Sequence, residues 1–472
     1  MRTIITSLLF LLATVTNGQR REVHIRAVND MHAALEAMPR LAAIADSLRT
    51  LYPSLLVLSA GDNRTGNPLN DMYSTSGYPM VALMNQIGFN ASALGNHEFD
   101  MNSLPALIGL TNFRYLCANI TAADSTGIKT RPCQVFDVEG LRVGVIGTVQ
   151  TNSQGHPDTH PDNLTGITFD DPIETVARHE GLSKDCDVTI LLSHAGYRSD
   201  TLTAGRCPWL DLIIGGHSHK QLTPDEVHNG VLITQNSAKL RHATHITLAV
   251  DSGHIAGRQA EYIDVKNYAK RNPVVEQMVN AFSDNSYFRQ VLAQAEAPFD
   301  TPYELGCMVC DALMEGTNAD MAIQNFRGIR LAGMPAGDIT VYDVLTIDPF
   351  GNAAYVLTLT GRELFDIVKR YSRMEVSHFP HLGGLRAEVT LDKEDPQTIV
   401  KIRLMLPDGS PLNMKRTYRV ATNGYVAAAC RSYGEFHMER LNMETADIIM
   451  RFLERQGAVD YQGVKRIDFL TP

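Results

Sequence analysis

Five short segments gather histidine, aspartate and asparagine just after apolar runs. Asp30-Met31-His32 ends the first run, which carries Val23, Ile25 and Ala27. Residues i and i+2 of a strand project to one face, so Asp30 and His32 can reach one cation. Gly61-Asp62-Asn63 follows Leu55-Leu56-Val57-Leu58. Its glycine permits a sharp turn that presents Asp62 at the strand end, and a carboxylate has two oxygens with which to bridge two ions. Gly95-Asn96-His97-Glu98-Phe99-Asp100 offers a neutral oxygen ligand in Asn96 and a proton-transfer group in His97. Asp100, three residues on, can hydrogen-bond that imidazole and fix its tautomer. Ser193-His194 and Gly215-Gly216-His217-Ser218-His219 close the series, and His217 and His219 repeat the i, i+2 relation.

Taken singly, each segment reads as a turn aspartate or as a satisfied core or surface histidine. Five histidines and two aspartates at the exits of five strands are not explained that way. Buried polar clusters persist only when paired or metal-bound. The donor set points to a pair of divalent ions, which can acidify a bound water and stabilise developing negative charge. Mixed nitrogen and oxygen donors suit Zn, Mn, Fe or Co.

The elements that must position these residues follow from hydrophobic periodicity. Up to about Asp251, strand-like runs at 55–59, 91–94, 141–147, 188–192 and 210–214 alternate with helical patterns at 39–51, 78–87 and 172–182. That alternation predicts a layered α/β domain with covered sheets, whose ligands sit past the strand ends. Residues 261–297 carry Val274, Val275, Met278, Val279 and Phe282 at helical spacing and read as a connecting helix. From Pro298 the pattern restarts as α+β, with helices at 305–316 and 361–371 and strands at 355–359, 387–391 and 418–421.

At roughly 150 residues per domain, 472 residues suggest two or three domains. Lys plus Arg is 42 and Asp plus Glu 52, giving 42 − 52 = −10. With 44% hydrophobic and 20% charged residues the composition is globular, which excludes disorder, collagen and coiled coil. So acidic a chain is not built for nucleic-acid polymers, which demand a surplus of Lys and Arg. Near the N-terminus, Arg2 precedes an apolar stretch at 4–15, then Thr16-Asn17-Gly18. This is a secretory signal pattern, too short for the roughly twenty residues of a spanning helix. It predicts an exported protein, periplasmic or extracellular, with no stable membrane anchor. The seven cysteines include Cys307-Met-Val-Cys310, inside an apolar run where buried helical thiols are expected.

The series of motifs resembles the calcineurin-like metallophosphoesterases, and the chain from about Val23 onward resembles the secreted 5′-nucleotidase family, UDP-sugar hydrolases included. In the second half the resemblance is carried by Asn325-Phe326-Arg327-Gly328-Ile329-Arg330, Asp348-Pro349-Phe350-Gly351-Asn352, Leu359-Thr360-Gly361, Phe379 before Gly383-Gly384-Leu385-Arg386, and Asn423-Gly424-Tyr425. It implies a four-layer αββα metallophosphoesterase sandwich followed by an α+β substrate-binding domain. The boundaries would be a signal peptide at 1–18, a catalytic domain at 19–260, a linker helix at 261–297 and a nucleotide-binding domain at 298–472.

The resemblance further implies one ion on Asp30, His32, Asp62 and His219, and a second on Asp62, Asn96, His194 and His217. His97 and Asp100 would be the catalytic dyad. Asn96, Arg327 and Arg330 would hold substrate, and Phe379 and Tyr425 would stack on its base. The family usually has glycines where this chain has Phe326 and Arg327, and Gly-Gly-Asp-Gly in the region of Cys430 and Arg431. The activity implied is removal of phosphate from nucleoside 5′-monophosphates. UDP-sugars, nucleoside polyphosphates or 2′,3′-cyclic nucleotides are the alternative substrates. A nucleotide- or metal-binding protein without turnover is the alternative of another class, although mere binding needs no proton-transfer dyad.

Overall fold

The computed structural model describes residues 20–431 and 433–471; the expected signal segment 1–18 lies outside them. Two six-stranded sheets form the first domain. In one, strand Arg21–Val28 lies between His242–Asp251, antiparallel, and Leu56–Ser59, parallel, and the sheet continues through Ala91–Ala93 to Arg114–Leu116. In the other, Val188–His194 lies between Leu141–Val149 and Leu212–Gly215, parallel to both. Alternate residues of facing strands meet between the sheets: Val23, Ile25, Ala27 and Leu58 share one core with Val143, Val145, Ile190, Leu192 and Ile214.

The outer faces are apolar too, which is why these strands read as unbroken runs rather than alternating ones. Helices Met38–Leu51 and Tyr78–Ile87 cover the first sheet, with Leu41 and Ile44 in one cluster with Val28 and Val57. Helices Pro172–Ala177 and Tyr197–Arg206 cover the second, through Val176 and Ala204 against Ile146, Leu191 and Ile213. The result is a four-layer αββα sandwich. The helix expected at 172–182 is divided into Pro172–Ala177 and Leu182–Asp185, with the poor helix former Gly181 at the restart.

Residues 261–297 are not one helix. Strand His254–Asp264 ends there, helix Pro273–Ser283 follows, and Val291–Ala295 is already a strand of the next domain. Asn272 starts the helix by accepting from the Val274 and Val275 N–H groups, both at 3.0 Å. That helix packs on Met38–Leu51 and Tyr78–Ile87 and so stays with the first domain.

The second domain is α+β. Its five-stranded sheet runs His381–Gly383, Met321–Gln324, Thr417–Asn423, Ala353–Thr360, His437–Glu444, flanked by two three-stranded sheets. Helix Pro302–Thr317, opened by a Thr301/Glu304 capping box, lies on this sheet. It carries Cys307 and Cys310 buried, and burial raises the Cys307 thiol to about 11. All seven cysteines are free thiols. Among the described residues no helix is long and apolar enough to cross a membrane.

Candidate metal centre and catalytic dyad

The five loops that leave the strands converge on one cleft. Asp30, His32, Asp62, His217 and His219 all adopt left-handed backbone, with φ of 48°, 45°, 51°, 71° and 54°. Such conformations are uncommon outside glycine and persist where surrounding structure over-determines them, as at functional sites. Gly95 is required for space: a Cβ there would lie 2.1 Å from Asp62 Oδ1.

Asp62 sits at the middle. Its Oδ1 accepts the His97 backbone N–H at 2.9 Å. Its Oδ2 faces His194 Nε2 at 3.1 Å, His97 Nε2 at 3.9 Å and His32 Nε2 at 4.0 Å. Asp30 Oδ1 lies 3.3 Å from His219 Nε2 and 4.0 Å from His194 Nε2. His32 Nε2 and His219 Nε2 are 3.1 Å apart, and His217 Nδ1 is 3.0 Å from Asn96 Oδ1. All seven residues expected to bind metal are therefore brought together. Asp30 approaches both histidine groups, a proximity that spacing alone did not predict.

These residues fit divalent cations. Two atoms each bound about 2.1 Å from one ion stand about 3.0–3.4 Å apart, close to several of these separations. The His194 Nε2 atom is buried, and its 3.1 Å approach to Asp62 Oδ2 lacks hydrogen-bond geometry, so among the described residues it has an ionic neighbour but no hydrogen-bond partner. His32 and His194 each direct Nδ1 at a backbone carbonyl, Thr65 O at 3.1 Å and Ala60 O at 2.7 Å, which turns Nε2 inward as ligand histidines do. Burial, with the His194 charge beside it, drives the His217 pKa down to about 4, leaving a neutral imidazole with a lone pair to offer. Burial also opposes charge on His194, but Asp62 and Asp30 outweigh it and hold its pKa up to about 10. The carboxylates thus draw positive charge into the space.

Sequence reasoning missed two residues that hold this site. Glu98 is fully buried, and its carboxylate accepts the N–H groups of Asp62 at 3.0 Å, Asn63 at 2.9 Å and Gly95 at 2.6 Å. It pins the second loop to the third. The available signal was its place three residues after Gly95, a capping-box position. Asn29 donates to Asp30 Oδ2 at 2.7 Å and to Asn236 O at 2.8 Å, which orients the first carboxylate.

The dyad is formed. His97 Nδ1 lies 2.5 Å from Asp100 Oδ2, while Thr159 Oγ1 donates to Asp100 Oδ1 at 2.9 Å. Burial disfavours charge on His97, yet Asp100 and Asp62 together hold its pKa above the ordinary value. The imidazole keeps Nε2 free on the side of Asp62.

The second domain reaches the same cleft. Arg330 Nη2 lies 3.4 Å from His32 Nδ1, and its guanidinium stands 5.8 Å over the Phe350 ring. Arg327 is exposed in the turn Phe326–Gly328, while Phe326 packs against Tyr303 and stacks on His381 at 5.4 Å. Tyr425 is half-buried at the start of helix Gly424–Cys430; burial and the nearby Asp158 and Asp100 push its phenol up to about 12. Phe379 is a correction. It is 0% exposed, packed in the core beneath strand His381–Gly383 and against Phe469, so it presents no face to a base. Phe350, which motif reading did not mark as a site residue, lies over His97 instead.

Comparison with known proteins agrees with this architecture. Residues 23–221 match the family model for calcineurin-like phosphoesterases, and residues 283–437 match that for the 5′-nucleotidase C-terminal domain. The trifunctional nucleotide phosphoesterase YfkN of Bacillus subtilis is 25% identical over 92% of this chain, which spans only 34% of that longer protein. A 5′-nucleotidase of Vibrio cholerae is 27% identical, with 86% of this chain and 83% of the relative covered. The crystal structure of a 5′-nucleotidase precursor from Thermus thermophilus superposes with a TM-score of 0.84 at 24% identity, covering 95% of this chain and 99% of the other.

Proposed function

Because the chain belongs to the calcineurin-like metallophosphoesterases that carry a 5′-nucleotidase C-terminal domain, we propose that it is an exported two-metal phosphohydrolase acting on nucleoside 5′-monophosphates. Residues 1–18 would direct export, the first domain through helix Pro273–Ser283 would hold the metals and dyad, and the second domain from strand Val291–Ala295 onward would receive the nucleoside. The observation that carries the reading is the convergence of five strand-end loops around Asp62, with the His97–Asp100 pair opening onto the same space.

Asp30, His32, Asp62 and His219 would hold one ion, and Asp62, Asn96, His194 and His217 the other. Bound ions supply positive charge for the phosphoryl oxygens and acidify a water for in-line attack. The remaining work falls to side chains. Asp100 accepts from Nδ1–H and, with Asp62, favours the imidazolium; in that charged form Nε2 also bears a proton, which the departing ribose oxygen would take up, leaving the neutral ring. Arg330, desolvated at the cleft edge, adds charge against the phosphate. Asn96 is held by its Nδ2 bond to Asp158 O at 3.0 Å, which keeps its carbonyl towards His217. Tyr425 offers the aromatic face available for the base.

The test is phosphate release from a panel of AMP, UMP, ADP, UDP-glucose and 2′,3′-cyclic AMP, with Mn, Co or Zn added after chelation. The reading expects the 5′-monophosphates to be the best substrates and chelation to abolish turnover. Turnover of none of them, with binding retained, would make it a binding protein.

A further inference from the structure

We propose that Phe350 is a positioning residue for the catalytic imidazole: its ring, supplied by the second domain, holds the plane of His97 so that Nε2 faces the leaving oxygen. The inference rests on the reading of His97 as proton donor. One hydrogen bond, Nδ1 to Asp100, does not by itself lock the imidazole, since χ1 and χ2 of His97 can still turn together about that contact and re-aim Nε2. Two rings restrict the turn. His32 meets His97 edge-on, with centroids 5.1 Å apart and planes at 74°. Phe350 lies nearly parallel, at 6.2 Å and 22°. Both separations fall in the range of attractive ring pairs.

Phe350 is itself braced. Asp348 Oδ2 accepts from the Thr445 hydroxyl, and the Thr445 N–H donates to Asn352 O at 2.9 Å. The turn that carries Phe350 is thereby tied to helix Thr445–Gln456 on the far side of the loop. The Arg330 guanidinium lies over the same ring at 5.8 Å and also approaches His32. Phe350 therefore joins the charge of Arg330 to the dyad, and seating of the second domain on the first is felt at His97.

A positioned acid matters in proportion to the basicity of the leaving oxygen. Phenyl phosphate and p-nitrophenyl phosphate differ in that basicity and carry no nucleobase, so they isolate proton delivery from base stacking. Phe350→Ala and Phe350→Leu should lower kcat on phenyl phosphate by ~10–100-fold, part of what a general acid is worth. On p-nitrophenyl phosphate the loss should stay below about three-fold, with KM unchanged on both. Phe350→Leu keeps most of the volume without a flat face, and Phe350→Tyr, which keeps the ring, should restore the rate.

In a His97→Ala background, Phe350→Ala should cost nothing further. Independently of turnover, diethyl pyrocarbonate should modify His97 faster in metal-free Phe350→Ala than in the parent, as read by mass spectrometry. Equal losses on the two aryl phosphates, or losses that add to those of His97→Ala, would overturn the proposal. A His97→Ala variant with no preference for the better leaving group would instead remove the underlying reading of His97.

Discussion

At the scale of single residues, Phe379 and Tyr425 separate what packs from what can touch a ligand. Phe379 is wholly enclosed among Leu382, Leu385 and Ala387 and its ring meets Phe469, so its value is core volume. Phe379→Ala should cost about 3–5 kcal/mol of stability, the usual range for emptying a buried phenylalanine site, and should depress AMP and p-nitrophenyl phosphate turnover alike. Tyr425→Ala should raise KM for AMP by about ten-fold, since base stacking is worth ~1–3 kcal/mol and 1.4 kcal/mol is a factor of ten. The same variant should handle p-nitrophenyl phosphate nearly as well as its parent. Paired melting and two-substrate kinetics check both. The sequence placed the two aromatics on separate loops, but which one faces the cleft depends on how sheet and helix close over them, and no local pattern encodes that.

At the scale of elements, the turn after helix Val341–Ile347 combines rigidity with a titrating group. Asp348 is buried, and burial raises its pKa to about 6. The folded chain thus binds this proton more tightly than the unfolded one, whose aspartate titrates near 3.9. Stability from the group is complete below about pH 4 and is lost as pH rises through about 6. Asp348→Asn keeps the neutral form at every pH, so its stability relative to the parent should improve by about 1–1.5 kcal/mol between pH 5 and pH 8. Urea midpoints of both proteins at the two pH values measure this, and a gap that stays constant would contradict it. The strand exits themselves were legible, because strands covered on both faces are continuous apolar runs and their polar successors stand out. Glu98 and Asn29 were not, because their task is to accept or donate across to loops distant in sequence. The segment 261–297 shows a related limit: helical spacing located Pro273–Ser283, but the strands at either end of the segment are defined by partners elsewhere in the chain.

At the scale of the whole molecule, both domains contribute side chains to one cleft. The first domain contributes Asp30, His32, Asp62, Asn96, His194, His217 and His219 around a space that draws cations, and the second lends Arg330 and Phe350 across the boundary. The contact between domains is thus part of the site rather than a tether for it. The central claim is that these ligands hold two ions and that Asp62 joins them. Metal content of the parent, Asp62→Ala and His219→Ala, measured by plasma mass spectrometry after reconstitution with Mn and gel filtration, tests it most directly. The account predicts two ions per chain in the parent, about one in His219→Ala and almost none in Asp62→Ala, as two-metal sites with a shared ligand require. Equal metal content in the two variants would contradict it.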